Sequence, residues 1–237
     1  MKKRYLNPQN IWRDFCTSYN IKVRNHKLKV RKEKLINKSF SIFSDNCTGG
    51  VVCHDLGVPF KSPLINGAFS PDDYLKFLER PEYYLNLELE FVPINDDSVP
   101  EFYRCNHFVA KIGDIHYRFT HYDKYTEDRI RNLWKRLKSR INWENLFVIL
   151  CQKEGVTLEH MMRFEALPYK NKLILTYRDY PELKCSFCLK GYEEIGYIDN
   201  LLKYMPGFMK GMKYYDQFDW VEWVNTGKIM AFKNRKL

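Results

Sequence analysis

The strongest periodic signal in the chain is Ile130, Leu133, Trp134, Leu137 and Ile141, spaced i, i+3, i+4, i+7 and i+11. It predicts a helix with one buried stripe, its other face carrying Arg131, Lys135, Arg136, Lys138 and Arg140, with Asn142 as a stop. Leu146 to Cys151 (LFVILC) is an unbroken apolar run, and Lys172 to Tyr177 (KLILTY) is a second such stretch. Runs of strand length without alternation are expected where a sheet is covered on both faces. Residues 107–112 and 115–119 alternate on either side of Gly113-Asp114, which predicts a hairpin. Phe40, Ile42 and Phe43 make a short strand; Asp45-Asn46 and Gly49-Gly50 supply turn chemistry, and VVCHDLG then reads as helix closing on Gly57.

Punctuation places the remaining elements. Ser70 is an N-cap with Pro71 at the first helical position and Asp72 and Asp73 in the first turn, so Tyr74, Leu75, Phe77 and Leu78 form a buried stripe that Pro81 interrupts. Leu89 to Val92 is a strand, the acidic NDDSVPE stretch a surface loop, and Thr157 to Phe164 a helix. Asn7-Pro8 opens a short helix with Ile11, Trp12 and Phe15 on its apolar face, whereas the apolar positions from Ile21 to Lys38 fit neither helix nor strand cleanly. From Tyr180 onward the chain is aromatic-rich and broken by Pro and Gly. Strands alternating with helices predict an α/β fold: one Rossmann-like domain over residues 39–237 with a mainly parallel central sheet, preceded by a basic N-terminal arm at 1–38 and ending in an aromatic-rich C-terminal extension.

Charge changes this picture in one place. The 237 residues carry a formal charge of +10, with 39 Lys and Arg against 29 Asp and Glu. Residues 1–38 hold 12 of the basic residues and two acidic ones, so the arm accounts for the whole excess and the rest is neutral. A localised excess disfavours nucleic acid as the partner and leaves two readings of residues 22–38, a solvated basic extension leading into the domain or a segment that meets an anionic surface such as a membrane. The basic start runs into polar residues rather than an apolar core, and no stretch approaches the roughly 18 apolar residues of a spanning helix. With an odd number of cysteines, seven, reduced thiols and a cytoplasmic location are expected, peripheral to the inner face of the membrane if the arm docks there.

Ligands of open α/β sheets bind beyond the carboxyl ends of the strands. Asp45, Asn46, Cys47, Thr48, Gly49 and Gly50 take that location if Phe40–Phe43 is a strand. A thiol at a helix N-terminus is stabilised as thiolate, and glycine amides can approach a substrate oxygen, which makes Cys47 a candidate nucleophile and Gly49 and Gly50 candidate oxyanion donors. A buried structural cysteine is the alternative. His54 lies two helical turns further on and is expected to point away; His121 is better placed as base, with Asp123 or Asp45 to orient it. Cys185-x-x-Cys188 lacks the second pair that structural zinc needs, so no metal site is expected. The chain has neither a Walker loop nor GxGxxG.

SIFSDNCTGGVVCHDLGVPFKSPLINGAFSPDDYLKFL, FTHYDKY and LWKRLKSRINWENLFVIL together resemble a bacterial family of unassigned activity labelled exopolysaccharide biosynthesis protein. Its pattern is a strand ending in S-N-N-C-x-G-G, then L-G-x-x-x-x-S-P, D-Y-x-K-F, H-Y and W-x-R-x-x-x-R-I-N. The resemblance covers residues 39–176 and matches Asn46, Cys47, Gly49, Gly50, Ser62, Pro63, Asp73, Tyr74, His121, Tyr122, Trp134, Arg136, Arg140 and Asn142, among others. Asp45 stands where the pattern has Asn, and Thr48 where an aromatic residue is frequent.

The resemblance implies surface-polysaccharide synthesis. Combined with the thiol, it leads to the expectation of a transferase, an acyltransferase above all, acting on a carbohydrate or lipid-linked sugar precursor. Cys47 would be nucleophile, His121 base and Asp123 its partner; Asp45, Asn46, Thr48, Ser62 and Tyr122 would line the substrate site, and Arg136 and Arg140 would bind a phosphorylated donor or carrier. Acyl-CoA is the expected donor, with no permanently bound cofactor. A cysteine hydrolase using the same residues, and a non-catalytic accessory protein docking through its arm, are the alternatives.

Overall fold

A computed structural model describes residues 8–93, 96–153, 155–206 and 211–232, with side chains described from residue 17 onward. The expected apolar face of Ile11, Trp12 and Phe15, and the Asn7 cap, lie outside these limits. The fold is α/β and contains two sheets. The first is parallel throughout, in the order β1 (Ser41–Ser44), β6 (Leu146–Cys151), β7 (Asn171–Thr176), β8 (Ser186–Cys188). The second is antiparallel: β2 (Gly67–Ala68), β5 (Ile115–Phe119), β4 (Phe108–Ile112), β3 (Glu90–Val92). The predicted hairpin is β4–β5, with Gly113 at φ 65 in its turn, but its extension on both sides into a separate sheet was not foreseen.

Residues of β6 are buried along its whole length, and their period of two divides them between two cores. Leu146, Val148 and Leu150 face a core that includes the antiparallel sheet together with α3 (Pro71–Glu79), α4 (Pro81–Asn86), α5 (Glu127–Lys138) and α6 (Leu158–Ala166). Phe147, Ile149 and Cys151 face the opposite core, with α2 (Thr48–Leu56) and α7 (Trp220–Thr226). The aromatic-rich C-terminal extension belongs to this second core: Tyr215, Phe218, Trp220 and Trp223 are at most 2% exposed, and Trp223 meets Phe147 edge-on at 4.8 Å. Large rings bury so much apolar surface that such a segment folds under the sheet instead of trailing from it.

Local signals fix the helix ends as expected. Ser70 Oγ accepts from Asp73 N, with Pro71 first in α3, and Gly57 closes α2 at φ 70. The basic segment is a single helix, α1 (Pro8–Lys34), and its buried positions include Arg24, Arg31 and, just beyond the helix end, Leu35. Arg24 pairs with Asp55 and Asp216 and donates to the Tyr215 hydroxyl at 2.6 Å, while Arg31 donates to Asp216 at 2.5 Å. Two cations of the expected docking stretch are therefore committed inside the molecule. Among the described residues no helix is long and apolar enough to cross a membrane.

Candidate functional site

The carboxyl ends of β1 and β6, neighbours in the parallel sheet, open onto a cleft of about 330 Å³. Asn46, Cys47 and Thr48 enter it from the β1–α2 turn, and Lys153 from the end of β6. Arg118 enters from β5 and Thr120 from just beyond it, and Asp199 to Leu202 form the far rim. Phe69 N, just beyond β2, donates to Asp45 O at 2.9 Å and ties the antiparallel sheet to this edge, while Thr120 N donates to Asn66 O at 2.9 Å and prolongs the β2–β5 pairing. Ile198 N to Gln152 O at 2.9 Å holds the rim to the end of β6. The cleft is thus built where the two sheets are joined, as the strand-end rule requires for the parallel one.

The turn itself is tightly specified. Asn46 Oδ1 accepts from Thr48 N at 2.8 Å and from Thr48 Oγ1 at 2.5 Å, so it closes an open amide at the start of α2. Gly49 and Gly50 are required by packing: a Cβ on Gly49 would lie 2.9 Å from Ile42 Cγ2, and one on Gly50 would lie 2.2 Å from the Ile65 carbonyl oxygen. Their amides remain in the first turn of α2, but the close approach of the helix to the Ile42 side chain at Gly49 and to the Ile65 backbone at Gly50 accounts for both glycines without an oxyanion role.

Cys47 is half-buried, and among the described residues its sulfur's hydrogen-bond partners are Thr120 Oγ1 at 3.2 Å and Gly67 O at 3.8 Å. The expected imidazole is not among them. His121 is exposed, with φ 64, on the turn after β5. The chain leaves the extended conformation there: Thr120 faces the thiol and His121, in the left-handed region, lies exposed. Asp123 pairs instead with His107 Nδ1 at 3.1 Å, so it does not orient His121. The Cys47, His121 and Asp123 relay is replaced by a thiol–hydroxyl pair. His54 points outward as expected, 3.1 Å from Asp55.

The other expected site residues divide clearly. Asp45 is buried; its Oδ1 accepts from Cys151 N and from Asn46 Nδ2, each at 3.1 Å. Burial pushes its carboxyl up to about 7, against the opposing pull of Lys153 and of those hydrogen bonds. It lines a smaller cavity of about 80 Å³ that shares Asn46, Ala68, Arg118 and Lys153 with the main cleft. Ser62 is buried in a turn, accepting from Leu64 N at 3.1 Å, and takes no part in the cleft. Tyr122 is core, packed edge-on to Phe119; burial pushes its phenol up to about 12, with smaller contributions from Tyr125 and Cys47. Arg136 is exposed on α5 and Arg140 is exposed in the turn just after it, and neither lines the cleft. Cys185 and Cys188 are half-buried free thiols. Among the described residues no His, Cys, Asp and Glu cluster could hold a metal ion.

Sequence reasoning missed Gly67, Arg118, Thr120, Lys153 and the 199–202 rim. Lys153 was within reach, because it follows an evident buried strand at its carboxyl end. The family model of the Domain of unknown function DUF1919 matches residues 18–225. The chain belongs to the DUF1919 family. That match begins inside α1 and ends in α7, so the helix clamped by Arg24 and Arg31 and the aromatic C-terminal layer are both part of the DUF1919 unit. An uncharacterized protein of Haemophilus influenzae is 35% identical over 197 residues, covering 83% of this chain and 89% of that protein.

Proposed function

We propose that this DUF1919 protein is a group-transfer enzyme that moves an acyl group onto a sugar hydroxyl of a surface-polysaccharide precursor. The observation that carries the reading is the convergence of a half-buried thiol, its hydroxyl partner and two cations on one cleft at the carboxyl edge of the parallel sheet. In this reading the Cys47 sulfur attacks the thioester carbonyl of an acyl-CoA donor, coenzyme A leaves as its thiol with the proton from Cys47, and the sugar hydroxyl then takes the acyl group and returns a proton to the sulfur. Surface-polysaccharide synthesis enters from the resemblance of the SDNCTGG, FTHYDKY and RLKSRIN stretches to that family. Intact-mass spectrometry after mixing with acetyl-CoA tests the first step. An adduct of one acetyl group, absent in Cys47→Ala, is expected; an equal adduct in the Cys47→Ala protein, or none in the parent with any short-chain acyl-CoA, overturns the thiol mechanism.

A further inference from the structure

Arg118 lies at the junction of the two cavities and lines both. Its guanidinium donates through Nη1 to the Phe102 carbonyl at 3.1 Å and rests over the Phe102 ring at 4.6 Å. Among the described residues it has no carboxylate partner, and its Nε–H is buried without an acceptor. A guanidinium held by a ring and a carbonyl, with no carboxylate to neutralise it, keeps its charge for an anion in the cleft. Lys153, which also lines both cavities, donates to the Asp199 carbonyl at 3.5 Å, and no ion pair with a described residue engages it.

The surroundings favour negative charge further. The turn at Asn46, Cys47 and Thr48 places the start of the nine-residue helix α2 against the same space, with its open amides and positive dipole end. Two acids face the cavities. Asp199 is exposed at the rim, and Asp45 lies below, where burial favours its neutral form, which can donate a hydrogen bond. Arg136 and Arg140, to which the sequence pointed for phosphate binding, are outside both cavities.

We propose that the cleft binds a diphosphate ester, gripped by Arg118 and Lys153. The inference rests on the group-transfer reading, and the shared chemistry fits either the nucleotide end of a coenzyme A donor or the diphosphate of a lipid-linked sugar acceptor. The Arg118 guanidinium meets one phosphoryl group through its terminal nitrogens, and Lys153 neutralises the other.

Isothermal titration of the full chain with sodium pyrophosphate, at ionic strength held constant with NaCl, tests this. The parent is expected to bind, with affinity about tenfold or more weaker in Arg118→Gln and in Lys153→Met, each of which removes charge-assisted hydrogen bonds. Arg136→Gln, which deletes a cation outside the cleft, is expected to leave affinity unchanged. Lys153 is half-buried at the rim, so its substitution reports on the site even if Arg118→Gln costs stability. Displacement of pyrophosphate by coenzyme A assigns the site to the donor, and displacement by farnesyl diphosphate assigns it to a lipid carrier. Equal affinity in the parent and both cleft variants, or an equal loss in Arg136→Gln, overturns the proposal. Binding without acetylation of Cys47 would sink the thiol mechanism and keep this site.

Discussion

Replacing Asp45 by Asn should leave stability unchanged below about pH 4 and stabilise the protein increasingly as pH rises from about 4 to about 7. The buried carboxyl titrates at about 7 instead of 3.8, so the folded state holds the proton more tightly than the unfolded chain does. The stabilisation tied to that proton is complete below about pH 4 and is lost as pH rises through about 7. The difference between 3.8 and about 7 corresponds to about 4 kcal/mol, the cost of carrying the ionised carboxylate in its buried position. Asn keeps an acceptor oxygen for Cys151 N and Asn46 Nδ2, the two groups Asp45 Oδ1 serves at 3.1 Å, and cannot ionise. Urea unfolding of both proteins at half-unit steps from pH 4.5 to 8.5 provides the assay. Other titrating groups, His116 among them, cancel when the variant is subtracted from the parent. The difference should grow from about 1 kcal/mol at pH 4.5 to a gain of about 4 kcal/mol for the variant above pH 7. Parallel curves would refute the reasoning, because they would show that Asp45 ionises in the folded state as easily as in water.

Gly50→Ala should lower stability by about 1–3 kcal/mol, since the new methyl would stand 2.2 Å from the rigid Ile65 carbonyl; an unchanged melting temperature would show that α2 can slide on the 62–66 loop. Asp216→Asn leaves Arg24 and Arg31 short of their shared carboxylate and should cost about 3–5 kcal/mol in urea unfolding, whereas an effect near zero would mean that α1 is held mainly by apolar contact. His121→Ala should leave the alkylation rate of Cys47 by iodoacetamide unchanged, measured by peptide mass spectrometry, because the imidazole is absent from the thiol's hydrogen bonds; a tenfold drop would place His121 back at the sulfur.

Much of the fold was legible because its signals are local. The α5 stripe, the buried β6 run, the β4–β5 hairpin and the Ser70–Pro71 start are each set by spacing or turn chemistry within a few residues. The antiparallel sheet was not legible in full, because β2 is a two-residue strand whose partner is settled far along the chain, by the pairing of Gly67 with Phe119. The segment from Ile21 to Lys34 resisted assignment for a different reason. Its inward face carries Arg24 and Arg31, two turns apart, so the buried stripe of the helix is charged and a search for apolar periodicity passes over it.

The site divides along the same line. Where Cys47 sits followed from strand, turn and helix in one short stretch; what touches it depends on how the antiparallel sheet is pinned to Asp45 through Phe69, which no local pattern encodes. That docking presents Thr120 where a histidine was expected and brings Arg118 across from β5 to meet Lys153 from β6. Asp45 carries the argument one step further. In this protein Asp45 can adjust the charge that a bound anion meets, its carboxyl neutral below about pH 7 and opposing the Lys153 charge above it. At pH 8 the ionised Asp45 should weaken the grip of Arg118 and Lys153 on a diphosphate, so pyrophosphate titrations should show Asp45→Asn binding more tightly than the parent at pH 8, with a smaller difference at pH 6, where the ligand's own ionisation is common to both proteins.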